Sequence, residues 1–400
     1  YYSAKPKKPV RFFTEDLRAK GYYCSNNSKE DYNMMTSPLA WDESSKEAHW
    51  RNRENNQPFF SVFNFNVTHE SNIWKNETTY STKELDNVQI PAFFPENSKI
   101  KSDFITNYKN IEKLDEQIGV IINQLKEDDL YDNTIIFFFS DHGGPFPRYK
   151  RSIYETGLRV PMIAKWINDK NRGNNYQLVS FVDFAPTVLD AANLKREFPF
   201  EGVSFFKKNN RSYVYAASDR FDEATDIRRS ISDGKFKLIY NGDTSSPVYK
   251  SVRYRKQMQT MQVLDSLEKN NELNNFFSDW FSKRKNRFEF YEVSKDYYEL
   301  NNLVSNTKYS QIFESLKHQL FKWINESDYG NMSESVMLDS MFSYTMPTSK
   351  LHMPKLTRLD DGYQIKSNNL FASVGWRNKI EKVWNIYTEG EFIRPITDLE

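Results

Sequence analysis

The sequence lacks three features that would each point to a particular class of protein. It has a single cysteine, Cys24, so no internal disulfide can form. It has no apolar run near the ~18 residues that a membrane-spanning helix needs, since the longest, Ile135 to Phe139, is strand-sized. It also has no charge excess, because 55 Lys and Arg are balanced by 54 Asp and Glu. This balance argues against a nucleic-acid-binding protein, whose domains usually carry a basic excess.

Aromatic residues, in contrast, are plentiful and make up 16% of the 400 residues. Each Tyr, Phe or Trp buries a large area, so a stable core can be built from comparatively few apolar residues. The length alone is enough for roughly two to three domains. Composition therefore predicts a globular protein.

The first half of the chain alternates between helix and strand patterns. Apolar residues recur every three or four positions from Phe104 to Leu125, which predicts an amphipathic helix. The run Thr134 to Phe139 is apolar without alternation, as in strands buried on both faces of a parallel sheet. A strand pattern at Leu158 to Trp166 and a helix pattern at Phe184 to Asn193 follow. This order predicts a doubly wound α/β domain over residues 1–227, in which helices flank a mixed or parallel sheet.

The character of the chain changes in its second half. The segments Phe236 to Tyr240 and Phe288 to Val293 alternate as half-buried strands, and Ile312 to Ile324 has the spacing of an amphipathic helix. These patterns predict a smaller α+β domain over residues 228–330. Residues 331–400 contain loop-like sequence and short strand patterns, which indicate either a small β appendage or a tail that wraps the domains.

The chemically most informative segment begins at Ser140, directly after the apolar run. Ligands of open α/β sheets bind beyond the carboxyl ends of strands, which is where Asp141 and His142 stand. An adjacent carboxylate and imidazole suit a divalent cation, and Lys150 could return a positive charge to the same pocket to hold an anionic oxygen. Alternatively, Asp141 caps a turn and His142 is a surface residue. For the bare triplet Asp-His-Gly, the two interpretations have similar weight.

The sequence around this segment resembles the sulfatase family. Residues 150–161 follow the family pattern Lys-x-x-x-x-Glu-x-Gly-x-Arg-x-Pro, and the strand followed by Ser-Asp-His-Gly precedes it at the family's spacing. Residues 178–190 look like the family's next segment, while 229–237 and 290–303 are similar to its closing hairpin. The resemblance covers residues 10 to 330. It implies an alkaline-phosphatase-like fold with a smaller C-terminal α+β subdomain, nearest to bacterial heparan N-sulfatase-like enzymes.

The resemblance also assigns roles to individual residues. Lys29 matches a lysine that contacts the nucleophile and the sulfate, and Lys150 matches the family's second lysine. His69 matches a histidine that donates to the bridging oxygen of the sulfate ester. These three residues are the candidates for catalysis and substrate binding, although His69 without the family would more often be structural. Asp31 stands where the family usually has a histidine that helps to deprotonate the covalent intermediate, which puts that role in doubt.

Two further points concern the metal and the scaffold. By the same resemblance, Asp141 and His142 are metal ligands, and the cation is most often calcium. Two ligands cannot satisfy a calcium ion, which takes about six to eight oxygens. Glu155 and Arg159 are equally compatible with scaffold ion pairs and with substrate contacts.

The central features of the family are absent from this sequence. The family's nucleophile is a formylglycine made from the first residue of Cys/Ser-x-Pro-Ser-Arg, and two adjacent aspartates at the end of the first strand complete the metal site. Cys24 lies in Cys-Ser-Asn-Asn-Ser, without the Pro or the Arg, and is predicted to be structural. Because the chain begins at Tyr1 without a Met or a leader, we predict an N-terminally truncated fragment that is inactive alone. A signal peptide upstream would place the protein in the periplasm or outside the cell.

The implied activity is hydrolysis of a sulfuric ester or sulfamate through a metal-assisted formylglycine located upstream. The expected substrate is a sulfated small molecule or glycan, with carbohydrate as the first expectation, and neither nucleic acid nor a membrane span is expected. One alternative is a phosphonate or phosphate ester hydrolase of the same superfamily, which a Thr or unmodified Ser nucleophile would favour. The other is a non-catalytic carbohydrate-binding homologue.

Overall fold

The structure is a computed structural model of the 400-residue chain. It describes residues 6–7, 10–75, 78–167, 173–194, 199–206, 211–222, 224–327 and 340, and the backbone of five strands between residues 355 and 394. The chain divides into a larger unit, Val10–Asp31 with Thr36–Ser333, and a smaller unit, Tyr1–Pro9 with Tyr32–Met35 and Glu334–Glu400. None of the helices in the described ranges combines the length and apolar character that crossing a bilayer requires.

The larger unit contains α-helices and β-strands in alternation. The helices are α1 (Phe13–Ala19), α2 (Ser71–Trp74), α3 (Thr82–Asn87), α4 (Ser98–Glu127), α5 (Glu155–Leu158), α6 (Phe184–Ala191), α7 (Gln259–Lys269), α8 (Asn275–Ser282) and α9 (Ser310–Ser327). The strands are β1 (Tyr23–Asn27), β2 (Glu43–Ser44), β3 (Phe59–Phe63), β4 (Ile136–Phe139), β5 (Met162–Lys165), β6 (Val214–Phe221), β7 (Ala224–Ser232), β8 (Lys237–Asn241) and β9 (Phe288–Tyr291).

These strands form three sheets of different pairing. The sheet β2–β1–β3 is parallel, β4 pairs antiparallel with β5, and β6–β7–β8–β9 is an antiparallel meander. Helix α1 packs on β1, α4 packs on α7, and α9 covers β7 and β8. Helices flanking mixed sheets, followed by an antiparallel sheet with its own helix, confirm the predicted α/β class.

The strand before Asp141 differs from its prediction. The unalternating run predicted a strand buried on both faces of a parallel sheet, but β4 is half-buried and its last residue, Phe139, is 38% exposed. Its only hydrogen-bonded neighbour among the described residues is β5, and that pairing is antiparallel. An apolar run reports how hydrophobic a strand is, whereas the pairing depends on segments far away in sequence.

An aromatic core fixes the loop that follows β4. The Phe146 ring is 2% exposed and stacks on Phe104 of α4, with the ring centroids 3.8 Å apart. Phe94 meets both Phe104 and Phe277 of α8 at 5.3 Å. Aromatic pairs at these distances add stabilisation beyond the area they bury. The loop of Asp141 and His142 is thus anchored at its far end on two helices.

The junction of α4 and α7 contains a buried carboxylate, Asp103, whose side chain accepts hydrogen bonds from the backbone N–H and the hydroxyl of Thr260, both at 2.7 Å. Burial raises the pKa of Asp103 to about 6, although the two hydrogen bonds oppose the shift. Because the folded pKa is above the ordinary 3.8, the folded state binds the proton more tightly than the unfolded state. Stability from this group is therefore present at low pH and is lost as the pH rises from 3.8 through about 6.

Asp103→Asn should remove this pH dependence, because the amide resembles the protonated acid and carries no charge. We expect the variant to match the wild type near pH 4 and to exceed it by about 2–3 kcal/mol above pH 6 in urea unfolding. Asp115→Asn, on the exposed face of the same helix, is the control. Wild-type and Asp103→Asn curves that run parallel across this pH range would contradict the prediction.

The smaller unit contains five short strands whose backbone is described. They are β10 (Lys355–Leu359), β11 (Gly362–Lys366), β12 (Val374–Arg377), β13 (Trp384–Tyr387) and β14 (Phe392–Arg394). Strands β10–β11–β14 form one antiparallel sheet, and β12–β13 form another. The domain boundaries at residues 227 and 330 stay predictions.

Candidate active site

His69 lies in the turn between β3 and α2, with its side chain half-buried. The backbone N–H of Ser71 donates to its Nδ1 at 3.3 Å, and the Ser71 hydroxyl lies 2.9 Å from the same nitrogen. A backbone N–H can only donate, so Nδ1 is the acceptor in the neutral ring, and the ring proton is on Nε2. The turn therefore presents His69 with Nε2 as its donor atom.

The electrostatic surroundings of His69 are predominantly positive. Burial lowers the pKa of His69, and the charge of Lys150 lowers it further. Glu70 opposes these effects, while Lys29 and His142 add to them. Besides its neighbour Glu70, charged groups from two distant segments, Lys29 and the loop from His142 to Lys150, thus act on the imidazole of His69. The structure brings the sequence-predicted residues Lys29, His69, His142 and Lys150 together.

Lys150 does not stand alone as a free cation. Its Nζ lies 2.9 Å from Oε1 of Glu70, and Nη1 of Arg151 lies 2.9 Å from Oε2 of the same carboxylate. The Glu70 side chain is fully buried. Burial alone would raise the pKa of Glu70, but hydrogen bonds and charges from Arg151 and Lys150 outweigh it and lower the pKa. Glu70 therefore fixes the position of both cations beside His69.

The part of the site formed by Lys29, Asp141 and His142 is more exposed to solvent. Oδ1 of Asp141 lies 3.5 Å from Nε2 of His142, and Oδ2 lies 3.9 Å from Nζ of Lys29. Lys29 also pairs with Asp31 at 3.5 Å. Asp31, at whose position the resemblance predicts a histidine, is a partner of Lys29 in this structure.

The donor atoms of Asp141 and His142 suit a metal ion. Nδ1 of His142 lies 2.8 Å from the carbonyl oxygen of Gly143, which can only accept, so the neutral ring keeps its lone pair on Nε2. That lone pair lies on the Asp141 side of the ring. Within the described ranges, however, no group of three or more His, Cys, Asp or Glu residues could hold a metal ion. The residues present are of the right type to bind a divalent cation, but they are too few to complete its coordination.

Two glycines fasten this loop to α5. The N–H of Gly143 donates to the carbonyl of Gly157 at 2.9 Å, and a Cβ added at Gly143 would lie 1.8 Å from the carbonyl oxygen of Thr156. A Cβ at Gly157 would lie 2.3 Å from the carbonyl oxygen of Ser152. Only glycine permits backbones to approach this closely.

The structure decides the role of Glu155, which the sequence left open. Its Oε1 lies 3.0 Å from Nζ of Lys237, a side chain that is 1% exposed. The same Nζ lies 3.4 Å from Oε1 of the buried Glu299. Glu155 is a scaffold residue that ties α5 to β8. Arg159 lies with its guanidinium 5.9 Å from the Tyr297 ring.

Cys24 has the structural role that was predicted. Its side chain is fully buried in β1, next to Leu17 and Leu189. Burial is the main cause that raises the pKa of the thiol to about 12. A thiol that stays protonated at neutral pH is a poor nucleophile.

Sequence reasoning missed three residues of the site, Glu70, Arg151 and Tyr254. Glu70 follows His69 directly, and Arg151 follows Lys150, so each stood beside a residue already selected. The Tyr254 ring is 39% exposed, and its centroid lies 6.3 Å from that of His69 and 5.3 Å from that of Trp74. No local pattern places residue 254 near residue 69.

The sequence and fold are similar to those of known proteins. A family profile described as Sulfatase matches residues 13–194, and one described as N-sulphoglucosamine sulphohydrolase, C-terminal matches residues 146–282. The chain is 37% identical to an ulvan-active sulfatase of Formosa agariphila, over 99% of this chain and 74% of that protein. The chain belongs to the sulfatase family.

More distant relatives agree with this membership. The human N-sulphoglucosamine sulphohydrolase is 23% identical over 59% of this sulfatase chain and 50% of its own length. A solved 2-O GAG sulfatase superposes with a TM-score of 0.57 at 14% identity, over 82% of this chain and 78% of that chain. A solved structure in complex with its substrate D-glucosamine-2-N,6-O-disulfate superposes with a TM-score of 0.56 at 16% identity, over 82% of this chain and 85% of that chain. These two structures confirm the alkaline-phosphatase-like α/β fold of the sulfatases.

Proposed function

We propose that this sulfatase hydrolyses sulfate esters, or sulfamates, of an anionic carbohydrate, and that Lys29, His69 and Lys150 carry the part of the chemistry located in this chain. The observation that carries the proposal is the position of His69. Its Nε2–H donor stands in the field of two ammonium groups, those of Lys150 and Lys29. The names of the ulvan-active and N-sulphoglucosamine relatives support a carbohydrate as the substrate.

The three residues have two different roles, charge neutralisation by the lysines and proton transfer by His69. Lys150 and Lys29 bind the sulfate oxygens and neutralise the charge that develops there, because ammonium groups fixed by ion pairs need no reorganisation during the reaction. His69 acts in its imidazolium form, in which Nδ1–H donates to the Ser71 hydroxyl. It gives its Nε2 proton to the bridging oxygen as the S–O bond breaks, so the alcohol leaves uncharged and the ring ends neutral. The nucleophile, which we propose to be a formylglycine, is supplied from outside this sequence, and the chain alone is inactive.

Asp141 and His142 are proposed as two ligands of a divalent cation, calcium as the first expectation, whose remaining ligands also lie outside this sequence. When bound, such a cation would add positive charge at the sulfate site. The support is the donor set, a carboxylate and an imidazole whose Nε2 lone pair is kept available by the Gly143 carbonyl.

Asp141→Ala, in the protein extended at its N-terminus by the proposed nucleophile segment, should weaken calcium binding. We expect a loss of about 10–100-fold in affinity by isothermal titration calorimetry, because one charged ligand is removed. Asp115→Ala, which removes an exposed carboxylate from α4, is the control and should bind as the wild type does. Equal calcium affinity in the Asp141→Ala variant would remove Asp141 from the ligand set.

The experiment that tests the function is a substrate panel on the same extended protein. Sulfated oligosaccharides, aryl sulfates, and phosphate and phosphonate esters are offered at equal concentration, and release of sulfate or phosphate is measured. We expect sulfate release from the oligosaccharides to exceed all phosphate or phosphonate turnover by at least about 10³-fold in kcat/KM. Faster phosphorus-ester hydrolysis would assign the chain to that alternative chemistry, and binding without turnover would make it a non-catalytic homologue.

A further inference from the structure

A small cationic cavity adjoins the candidate active site at Lys150. Its volume is about 30 Å³. Six cationic side chains and one carboxylate line it, together with Ser152, Val248, Val252 and Trp280; the charged ones are Arg148, Lys150, Arg151, Arg228, Lys250, Arg255 and Asp226. A space of this size holds about two water molecules, or one small oxyanion group, and is too small for a sugar ring.

Most of these charges have partners in the protein. Arg228 pairs with Glu289 at 3.1 Å, Arg151 pairs with Glu70 and Asp222, and Asp226 pairs with the buried Lys285 at 2.8 Å. Lys250 lies 4.0 Å from Asp243. When these partners are included, the cations still outnumber the carboxylates by two.

The two cations without a carboxylate partner in the described part of the chain are Arg148 and Arg255. Arg148 donates to the carbonyls of Tyr298 and Glu299, and so its guanidinium is held by backbone. Arg255 is 5% exposed and donates from Nη2 to the carbonyl of Lys250 at 3.0 Å. Its Nε, however, has no hydrogen-bond partner among the described residues.

The guanidinium of Arg255 also lies 5.7 Å from the Trp280 ring and 6.0 Å from the Tyr249 ring. A buried N–H of a charged group that has no acceptor is nevertheless costly, and such groups normally face a counter-ion. Burial, together with the nearby charge of Arg151, lowers the pKa of Arg255 to about 10. Even so, Arg255 is charged at neutral pH. An anion in the cavity would supply both the missing hydrogen-bond acceptor and the missing negative charge.

Two consecutive residues of one segment contact His69 and the cavity, respectively. Tyr254 lies against the His69 ring, and Arg255 lines the cavity. Lys150 takes part in both places, since it is paired with Glu70 beside His69 and lines the cavity as well. The cavity and the surroundings of His69 thus share Lys150 and adjoin along the segment of Tyr254 and Arg255.

We propose that this cavity binds a second anionic group of the substrate, a sulfate or a carboxylate next to the ester that is hydrolysed. The proposal rests on the proposed function, because it defines the substrate class as carbohydrates with two neighbouring anionic groups. Arg255 and Lys250 are then specificity residues rather than catalytic ones.

Arg255→Gln tests this assignment, because the amide keeps polar atoms in the cavity and removes the charge. In the extended protein, we expect KM for an oligosaccharide with two neighbouring anionic groups to rise about 10–100-fold, as the loss of one charge-assisted contact predicts. The KM for a monosulfated sugar and both kcat values should stay within about twofold. Lys256→Gln, an exposed neighbour with the same loss of charge, should leave both KM values unchanged.

Inorganic sulfate gives a second readout that needs no catalysis. By calorimetry, the wild type should bind one more sulfate ion than Arg255→Gln, whereas Lys256→Gln should keep the wild-type stoichiometry. If Arg255→Gln does not fold, Lys250→Gln takes its place in both measurements. Inorganic sulfate is also added to the two kinetic assays. If it competes with only the doubly anionic oligosaccharide, the anionic group of the substrate, rather than free sulfate, is the occupant of the cavity during turnover.

The two proposals can fail separately. Equal KM changes for both sugars, or unchanged sulfate stoichiometry in Arg255→Gln, would overturn the cavity assignment and leave the sulfatase function intact. If the wild type hydrolyses no sulfate ester, the proposed function is wrong, and the sulfate stoichiometry of Arg255→Gln alone decides whether the cavity binds anions.

Discussion

In the extended protein, His69→Gln should lower kcat/KM for a sulfated carbohydrate about 10³-fold, because glutamine keeps an N–H donor but cannot transfer a proton. The fold should persist, since His69 is only half-buried and its partner Ser71 can bond to the amide oxygen instead. His318→Gln, at an exposed position on α9, is the matched control and should retain wild-type kinetics. Wild-type kcat/KM in His69→Gln would remove the general acid from the proposal.

The pH profile checks the same role by a different route. A general acid must hold its proton before the reaction, so kcat/KM should fall as the pH rises through the pKa of His69 in the free enzyme. Burial and the charges of Lys150, Lys29 and His142 lower this pKa below the ordinary 6.5, and Glu70 only partly opposes them. Activity should therefore be highest on the acidic side of that value. The His69→Gln variant should not show this fall of kcat/KM with rising pH.

Aryl sulfates separate proton transfer from the other causes of inactivity. A phenolate with a low pKa leaves without needing a proton, so the effect of His69→Gln should shrink as the leaving group improves. A loss that is equal for sugar and nitrophenyl sulfates would show that His69 positions the substrate and transfers no proton.

Sequence alone predicted those parts of the protein that depend on local pattern. The helix spacing from Phe104 to Leu125 became the centre of α4. The α/β class followed from the order of such segments. Asp141, His142 and Lys150 were selected by their position after the apolar run, and Lys29 and His69 by family motifs; the chemical roles of all five stay predictions.

The remaining features depend on contacts between distant segments. Glu70 meets Lys150 and Arg151, which follow it by about eighty positions, and the cavity around Arg255 gathers residues from four regions of the chain. The antiparallel pairing of β4 with β5 is another contact of this kind. A hydrophobic or charged sequence pattern indicates that a side chain needs a partner, but it does not identify that partner.

Lys150→Ala, also in the extended protein, should lower kcat/KM about 10²–10³-fold, because it removes a positive charge fixed beside the sulfate site. The stability loss should be small, about 1–2 kcal/mol, since Glu70 keeps Arg151 as its partner at 2.9 Å. Lys109→Ala, which breaks the exposed pair with Glu84 on the surface of α4, should leave kcat/KM unchanged.

The same substitution should also move the titration of His69. Lys150 lowers the pKa of His69, second only to burial, so its removal should raise that pKa and extend the active range to higher pH. A structural role for Lys150 would reduce activity equally at every pH. The two explanations therefore differ in the shape of the profile, measured as kcat/KM between pH 5 and pH 8. An unshifted limb with lower activity would mean that Lys150 acts only by holding Glu70, and the ammonium beside the sulfate would then have to be that of Lys29.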